Sequence, residues 1–181
     1  MIPRGRVSNV ATMNTQIHFD TGSSSLGCVL VAINSRGICA ILLGSSPQAV
    51  TRELRQRFPG AQAGQDAARL APVLTQVLAL VEGRSATLDL PLDPAGTQFQ
   101  QRVWRALRRI PAGATASYAE IARRIDAPKS FRAVAQACGA NPIALAIPCH
   151  RVVRTDGSLS GYAWGIERKR DLLNREASHG R

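Results

Sequence analysis

Apolar positions along the chain change period from block to block, and the periods name the elements. Residues 26–33 and 38–43 are dense apolar runs rich in β-formers, separated by Asn34, Ser35, Arg36 and Gly37, so they read as a β-hairpin. Residues 16–20 alternate weakly, with Ile17 and Phe19 on one side. Pro47 can open a helix on which Val50, Leu54 and Phe58 recur, and Pro59-Gly60 stops it. Residues 61–65 read as a polar loop. Leu70, Leu74, Val77, Leu78 and Val81 mark a second helix over 70–81, with Pro72 in its first turn and Gly83 at its end. Leu88, Leu90 and Leu92 alternate, as a strand or an extended connector would. Pro91, Pro94 and Gly96 then mark a boundary between two lobes.

Helix signals sharpen in the second half. Thr97 with Gln100, and Ser117 with Glu120, fit capping boxes. Phe99, Val103, Leu107 and Ile110 form the apolar stripe of the first helix, which Pro111-Ala112-Gly113 breaks. Ile121 and Ile125 continue the second, and residues 126–129 form a turn. Ser130 can cap a third helix over 131–138, ended by Gly139. A short helix, short turn and short helix together predict a helix-turn-helix. Ala133, Ala135 and Ala137 keep the last helix small-surfaced for close approach to a groove, with Arg132 projecting from its first turn; an Ala-rich packing helix has the same pattern. A loop with Gly161, Tyr162, Ala163 and Trp164 could wall a flat ligand, and residues 166–177 read as a closing amphipathic helix.

Composition narrows the partners. Lys and Arg number 23 against 12 Asp and Glu, a formal charge of +11, and nearly all the cations are arginine. Such a balance favours a polyanion, with phosphates first. Aromatics are 4%, so the core is largely aliphatic. No run is apolar enough to span a bilayer, and residues 1–14 lack the apolar stretch of a secretory signal. The 4 cysteines (Cys28, Cys39, Cys138 and Cys149) form no CxxC pair and no metal spacing with His, which fits free thiols in a reducing cytosol.

The candidate chemistry lies at Ile147-Pro148-Cys149-His150-Arg151-Val152-Val153. Pro148 fixes φ where an apolar run stops, presenting Cys149 at a rigid turn. His150 is a proton acceptor near neutral pH, and adjacent side chains diverge, so a water relay is expected rather than a direct bond. A buried inert cysteine is the plain alternative.

Together with Asn141-Pro142, Gly161-Tyr162, Leu172-Leu173 and Glu176, this run resembles the O6-alkylguanine-DNA alkyltransferases, the methyltransferase domain of Ada-type proteins in particular. Residues 36–44, Gly96-Thr97, Phe99-Gln100-Gln101, Val103-Trp104 and Ser117-Tyr118 extend the resemblance over roughly 14–177. It implies an α/β (α+β) fold: a flexible tail at 1–13, a small RNase H-like lobe over 14–92, and a helical DNA-binding and alkyl-acceptor unit with the helix-turn-helix over 97–177. It implies Cys149 as acceptor, His150 as relay base, Glu176 orienting it, Asn141 bracing the turn, and Tyr118 rotating the nucleotide and assisting at guanine. Arg132 would fill the gap in the duplex, with Ser130, Ala133, Gln136 and Arg151 also at the DNA. Backbone carbonyls near Cys149 and Val152 would read the base, with Tyr162, Ala163 and Ala144 in the pocket.

The implied partner is double-stranded DNA carrying O6-alkylguanine, with O4-alkylthymine as a second candidate lesion. No metal or cofactor is expected, and the protein is expected to be a monomer in a bacterial cytoplasm, at the nucleoid. Ala144 stands where some relatives have a second proline and Ala163 where some have a serine donor, implying a looser pocket and one lost hydroxyl. The zinc that some members bind in the first lobe has no support in the scattered His18, Cys28 and Cys39. Two other classes compete. A non-catalytic helix-turn-helix regulator explains the charge but leaves Cys149 idle. A cysteine hydrolase needs a base and oxyanion donors that a chain with 3 histidines scarcely offers.

Overall fold

The computed structural model describes residues 16–64 and 66–179. The stretch expected as an N-terminal tail lies outside them, except for the start of β1's approach. Strands β1 (His18–Ser24), β2 (Gly27–Ile33) and β3 (Ile38–Gly44) form an antiparallel meander, with the predicted hairpin turn at 34–37. Asn34 Oδ1 closes that turn by accepting from the amides of Arg36 and Gly37. Gly37 has φ +148°, and a Cβ there would stand 2.3 Å from the Pro91 carbonyl, so only glycine fits.

The stretch read as a polar loop contains a short strand instead, β4 (Gln62–Ala63), parallel to β1. An exposed two-residue edge needs only backbone pairing, so it leaves no hydrophobic pattern. Sheet order is β3-β2-β1-β4. Helix α1 (Pro47–Arg57) lies on β2 and β3, with Ser46 as its N-cap and Pro47 at its start. Helix α2 (Ala67–Val81) lies on β1 and β2. It begins at Ala67, before the apolar periodicity does, so Pro72 sits in its second turn rather than its first. The residues 88–92 form a connector, held to β3 where the Ile38 amide donates to the Pro91 carbonyl at 2.9 Å.

Both expected capping boxes are present, on α3 (Gln98–Leu107) and α4 (Tyr118–Arg124). Val103, Leu107 and Ile110 are buried as the stripe requires. Trp104 is 2% exposed, and its indole Nε1 donates to the Ala137 carbonyl at 2.9 Å, joining α3 to α5 (Phe131–Gly139). Helices α4 and α5 make the helix-turn-helix, with Asp126 in the left-handed region inside the turn. Ser130 stands at the N-cap of α5 but its side chain makes no cap bond, and α5 includes Gly139 rather than ending before it. Ala137 is buried against the core, so only Ala133 and Ala135 keep the outer face small.

The segment before the cysteine hangs on the sheet. The Ile41 amide donates to the Pro142 carbonyl and the Ala144 amide donates to the Ile41 carbonyl, both at 2.9 Å. Leu145 then takes φ +63°, a conformation that costs a non-glycine residue about 1 kcal/mol or more. A 3-10 turn, Cys149–Arg151, leads into β6 (Val152–Val153), which pairs in parallel with β5 (Ala116–Ser117). Helix α6 (Ile166–His179) closes the chain. No helix among the described residues is long and apolar enough to cross a membrane, and no three His, Cys, Asp or Glu side chains there cluster as a metal set.

Candidate active site

Two strands of two residues bring the two halves of the site together. Ala116 pairs with Val152 and Ser117 with Val153, so Tyr118 starts α4 beside the turn that carries Cys149. Tyr118 and Cys149 line one cleft of about 430 Å³, together with Ala135, Gly139, Tyr162 and Ala163. A separate cavity of about 170 Å³ lies on the other side of His150 and Glu176, walled by Leu80, Val81, Leu145 and Leu172; Cys149 does not reach it.

Cys149 is 3% exposed. Burial pushes its thiol up to about 11, opposed by a hydrogen bond from Asn141 and the positive charge of Lys169. Asn141 Nδ2 donates to Cys149 Sγ at 3.2 Å and to the carbonyls of Ile147 (2.8 Å) and Ile143 (3.2 Å). Its Oδ1 accepts from the Ile143 amide at 2.9 Å, so one buried amide braces the whole turn.

His150 is 1% exposed, with Nε2 at 2.8 Å from Glu176 Oε1. Arg151 grips the same carboxylate, Nη2 to Oε1 at 2.9 Å and Nε to Oε2 at 3.0 Å. Burial works to raise the Glu176 carboxyl, but its bonds to His150 and Arg151 override that and hold it at about 2. Burial lowers His150 below its ordinary value despite the carboxylate. The pair is therefore a neutral imidazole on an ionised carboxylate whose charge Arg151 balances. An ionised Glu176 accepts, so Nε2 carries the proton and Nδ1 is the bare acceptor; Nδ1 is buried with no partner among the described residues.

On this geometry the comparisons converge. The model of the 6-O-methylguanine DNA methyltransferase DNA-binding domain matches residues 98–178. The methylated-DNA-protein-cysteine methyltransferase of Mycobacterium tuberculosis (strain H37Rv) is 41% identical over 162 residues, 90% of this chain and 93% of that protein. The chain belongs to the methylated-DNA-protein-cysteine methyltransferases. The bifunctional transcriptional activator/DNA repair enzyme Ada of Escherichia coli (strain K12) is 49% identical over 166 residues, 92% of this chain but 47% of that protein. The chain thus spans about half the length of its Ada-type relatives. The crystal structure of Mycobacterium tuberculosis OGT in complex with DNA superposes with a TM-score of 0.73 at 38% identity, covering 89% of this chain and 93% of that one.

In this methyltransferase the structure gathers Cys149, His150, Glu176, Asn141 and Tyr118 as the sequence predicts, and sets Tyr162 and Ala163 in the cleft wall. Tyr162 stands edge-on to Trp164, with ring centroids 5.2 Å apart. Arg132 and Gln136 are exposed on α5, with Ser130 and Ala133 half-buried beside them. Three expectations are corrected. Arg151 does not face DNA: Glu176 and the Ile110 carbonyl take its guanidinium. Ala144 is not a pocket wall but a fully buried link to β3. Val152 is likewise fully buried, and its carbonyl accepts from Lys169 Nζ at 2.6 Å rather than facing a base.

Four contributors escaped the sequence reading: Cys138, Arg154 and Ser160 in the cleft wall, and Lys169 behind it. Lys169 had a signal. It shares the inward face of α6 with Ile166, Leu172, Leu173 and Glu176, and a lysine on an apolar stripe asks for a buried partner.

Proposed function

We propose that this chain reverses alkylation damage in double-stranded DNA: it takes O6-alkylguanine out of the helix into the Cys149 cleft and transfers the alkyl group to Cys149 once, irreversibly. The sheet lobe (14–92) would hold the acceptor segment and the helical unit (97–177) the DNA. The observation that carries this reading is a buried thiol, braced by Asn141 and adjacent to a neutral histidine, opening on a cleft beside a helix-turn-helix. Base chemistry at O6 needs the base extruded, and a cleft of this kind receives it.

The acidities suit a single methyl transfer. A thiol held near 11 is protonated at neutral pH and quiet toward adventitious electrophiles. Its thiolate, once formed, is a stronger nucleophile than one from an acidic thiol. Nδ1 of His150 is the acceptor for the thiol proton, through a water, and Glu176 stabilises the imidazolium that results. Arg132 is the residue to occupy the space left by the base, with Tyr118 assisting rotation and protonation of guanine. We place the protein in the cytoplasm as a monomer acting at the nucleoid; O4-alkylthymine is a second lesion of similar chemistry.

Intact mass after incubation with an O6-methylguanine duplex tests the reading. One added methyl per chain, mapped to Cys149, is expected. Sustained turnover favours a hydrolase, and DNA binding without a mass change favours a regulator.

A further inference from the structure

Lys169 is 0% exposed, yet none of its hydrogen bonds goes to a carboxylate. Its Nζ donates to the Val152 carbonyl at 2.6 Å and reaches the Ser160 carbonyl at 3.4 Å and Ser160 Oγ at 3.5 Å. A buried ammonium without a counter-ion is expensive, and an apolar side chain of the same volume would fill the site more stably. The titratable groups around it are Cys149 on the 3-10 turn and Cys138 on α5, and, through Ser160, Tyr118 on α4. Ser160 Oγ lies 2.6 Å from the Tyr118 hydroxyl and lines the same cleft as Cys149.

We propose that Ser160 is a proton relay on the leaving-group side of the transfer, joining the Tyr118 hydroxyl to the ammonium of Lys169. The proposal rests on the alkyl-transfer reading. When Lys169 donates to Ser160 Oγ, the serine proton points at the Tyr118 oxygen, and the tyrosine proton is left free to face the cleft. The thiolate sulfur then forms a bond to the alkyl carbon as the carbon–O6 bond breaks, and the electron pair of that bond stays with guanine. Guanine takes the Tyr118 proton, Tyr118 takes the Ser160 proton, and Ser160 takes one from Lys169, which ends as a neutral amine. The proton that left Cys149 remains on His150 until solvent exchange resets both. The negative sulfur and the positive lysine disappear in the same event, so no uncompensated charge is left in the buried site. Burial lowers Lys169 and raises Tyr118, which narrows the gap the proton must cross. Ser160 and Lys169 are positioning residues in this scheme, acting through Tyr118.

The test compares two electrophiles on the full chain: an O6-methylguanine duplex, whose leaving group needs a proton, and iodomethane, whose iodide does not. Ser160→Ala should slow Cys149 methylation from the duplex by on the order of tenfold or more, the lower part of what general acids contribute, and leave the iodomethane rate within about twofold. In a Tyr118→Phe background, Ser160→Ala should add nothing further. Above neutral pH the parent's duplex rate should fall as Lys169 loses its proton, and that falling limb should vanish in Ser160→Ala. Equal slowing on both electrophiles, additivity with Tyr118→Phe, or an unchanged duplex rate overturns the relay. A parent that reacts with iodomethane but takes no methyl from the duplex overturns the alkyl-transfer reading itself, a distinct failure visible before any variant is made.

Discussion

His150 Nε2 and Glu176 Oε1 lie 2.8 Å apart, and Arg151 holds the same oxygen from the other side at 2.9 Å. The carboxylate is thus shared between a base and a permanent cation. Its pairing with Arg151 keeps it ionised, and its ionisation keeps the imidazole in one tautomer.

The first prediction follows for rate. His150→Ala and Glu176→Gln should each slow Cys149 methylation by roughly 10²-fold or more, as loss of a general base does, with little change in DNA affinity. Because burial lowers His150, the parent should keep its rate into mildly acidic solution and lose it only where the imidazole protonates. Rates measured from pH 5 to 8 decide it: an unchanged pH profile in both variants removes the base assignment.

The same carboxylate carries a stability prediction. Its folded pKa, about 2, lies below the ordinary value of 4.5, so its contribution is fully present above 4.5 and is lost as pH falls toward 2. Urea midpoints of the parent should drop across that window, and Glu176→Gln should be less stable at pH 6 but show a shallower drop. A parallel drop in the two proteins would mean that other carboxylates dominate acid unfolding.

Asn141 offers a third. Its amide holds three acceptors inside the turn, so Asn141→Ala leaves two buried carbonyls and the sulfur without that donor. Loss of about 2–4 kcal/mol is expected from urea unfolding, with Cys149 more reactive toward a small thiol reagent as the turn loosens. An unaltered thiol rate would show that the turn is held without it.

For DNA, Arg132 and Phe131 act as a unit. Phe131 is 45% exposed, a large apolar side chain open to solvent at the start of α5, and the Arg132 guanidinium lies 5.5 Å from its ring centroid. Such stacking is worth about 0.5–1 kcal/mol at an exposed site and orients the arginine outward. Arg132→Ala should slow duplex repair strongly while barely changing reaction with free O6-benzylguanine, and Phe131→Ala should do the same more weakly. A loss that appears only as weaker, less salt-dependent binding would make Arg132 a phosphate contact instead.

What could be read from the chain alone was whatever short-range chemistry decides. The Thr97/Gln100 and Ser117/Glu120 boxes, the Pro47 helix start and the turn at Asn34 each depend on neighbours within four residues, and each is present. The cluster of Cys149, His150, Asn141 and Glu176 was legible because the resemblance rests on those very residues. The readings that failed depend on partners far along the chain. Arg151 looked like one more surface arginine until Glu176, 25 residues on, was folded against it. Ala144 looked like a pocket wall because nothing local reveals that its amide belongs to Ile41. Strand β4 and the role of Ser160 are long-range in the same way.

Ala144 therefore predicts against its own family variation. Ala144→Pro would remove the amide that donates to the Ile41 carbonyl, and should lower stability by about 1–3 kcal/mol rather than tighten the cleft. Thermal unfolding of the variant checks this, and a raised midpoint would show that the segment can re-pair.

The attachment of residues 142–144 to Ile41 also bears on solubility. Strand β3 is the outer strand of the sheet on that side, and it is apolar almost throughout. An open edge of this kind invites pairing with other chains. Here the acceptor segment covers part of it, and the connector at Leu92 covers its beginning. Any change that unlatches the acceptor segment uncovers a sticky strand at the same moment, so lost repair and aggregation should arise together in such variants.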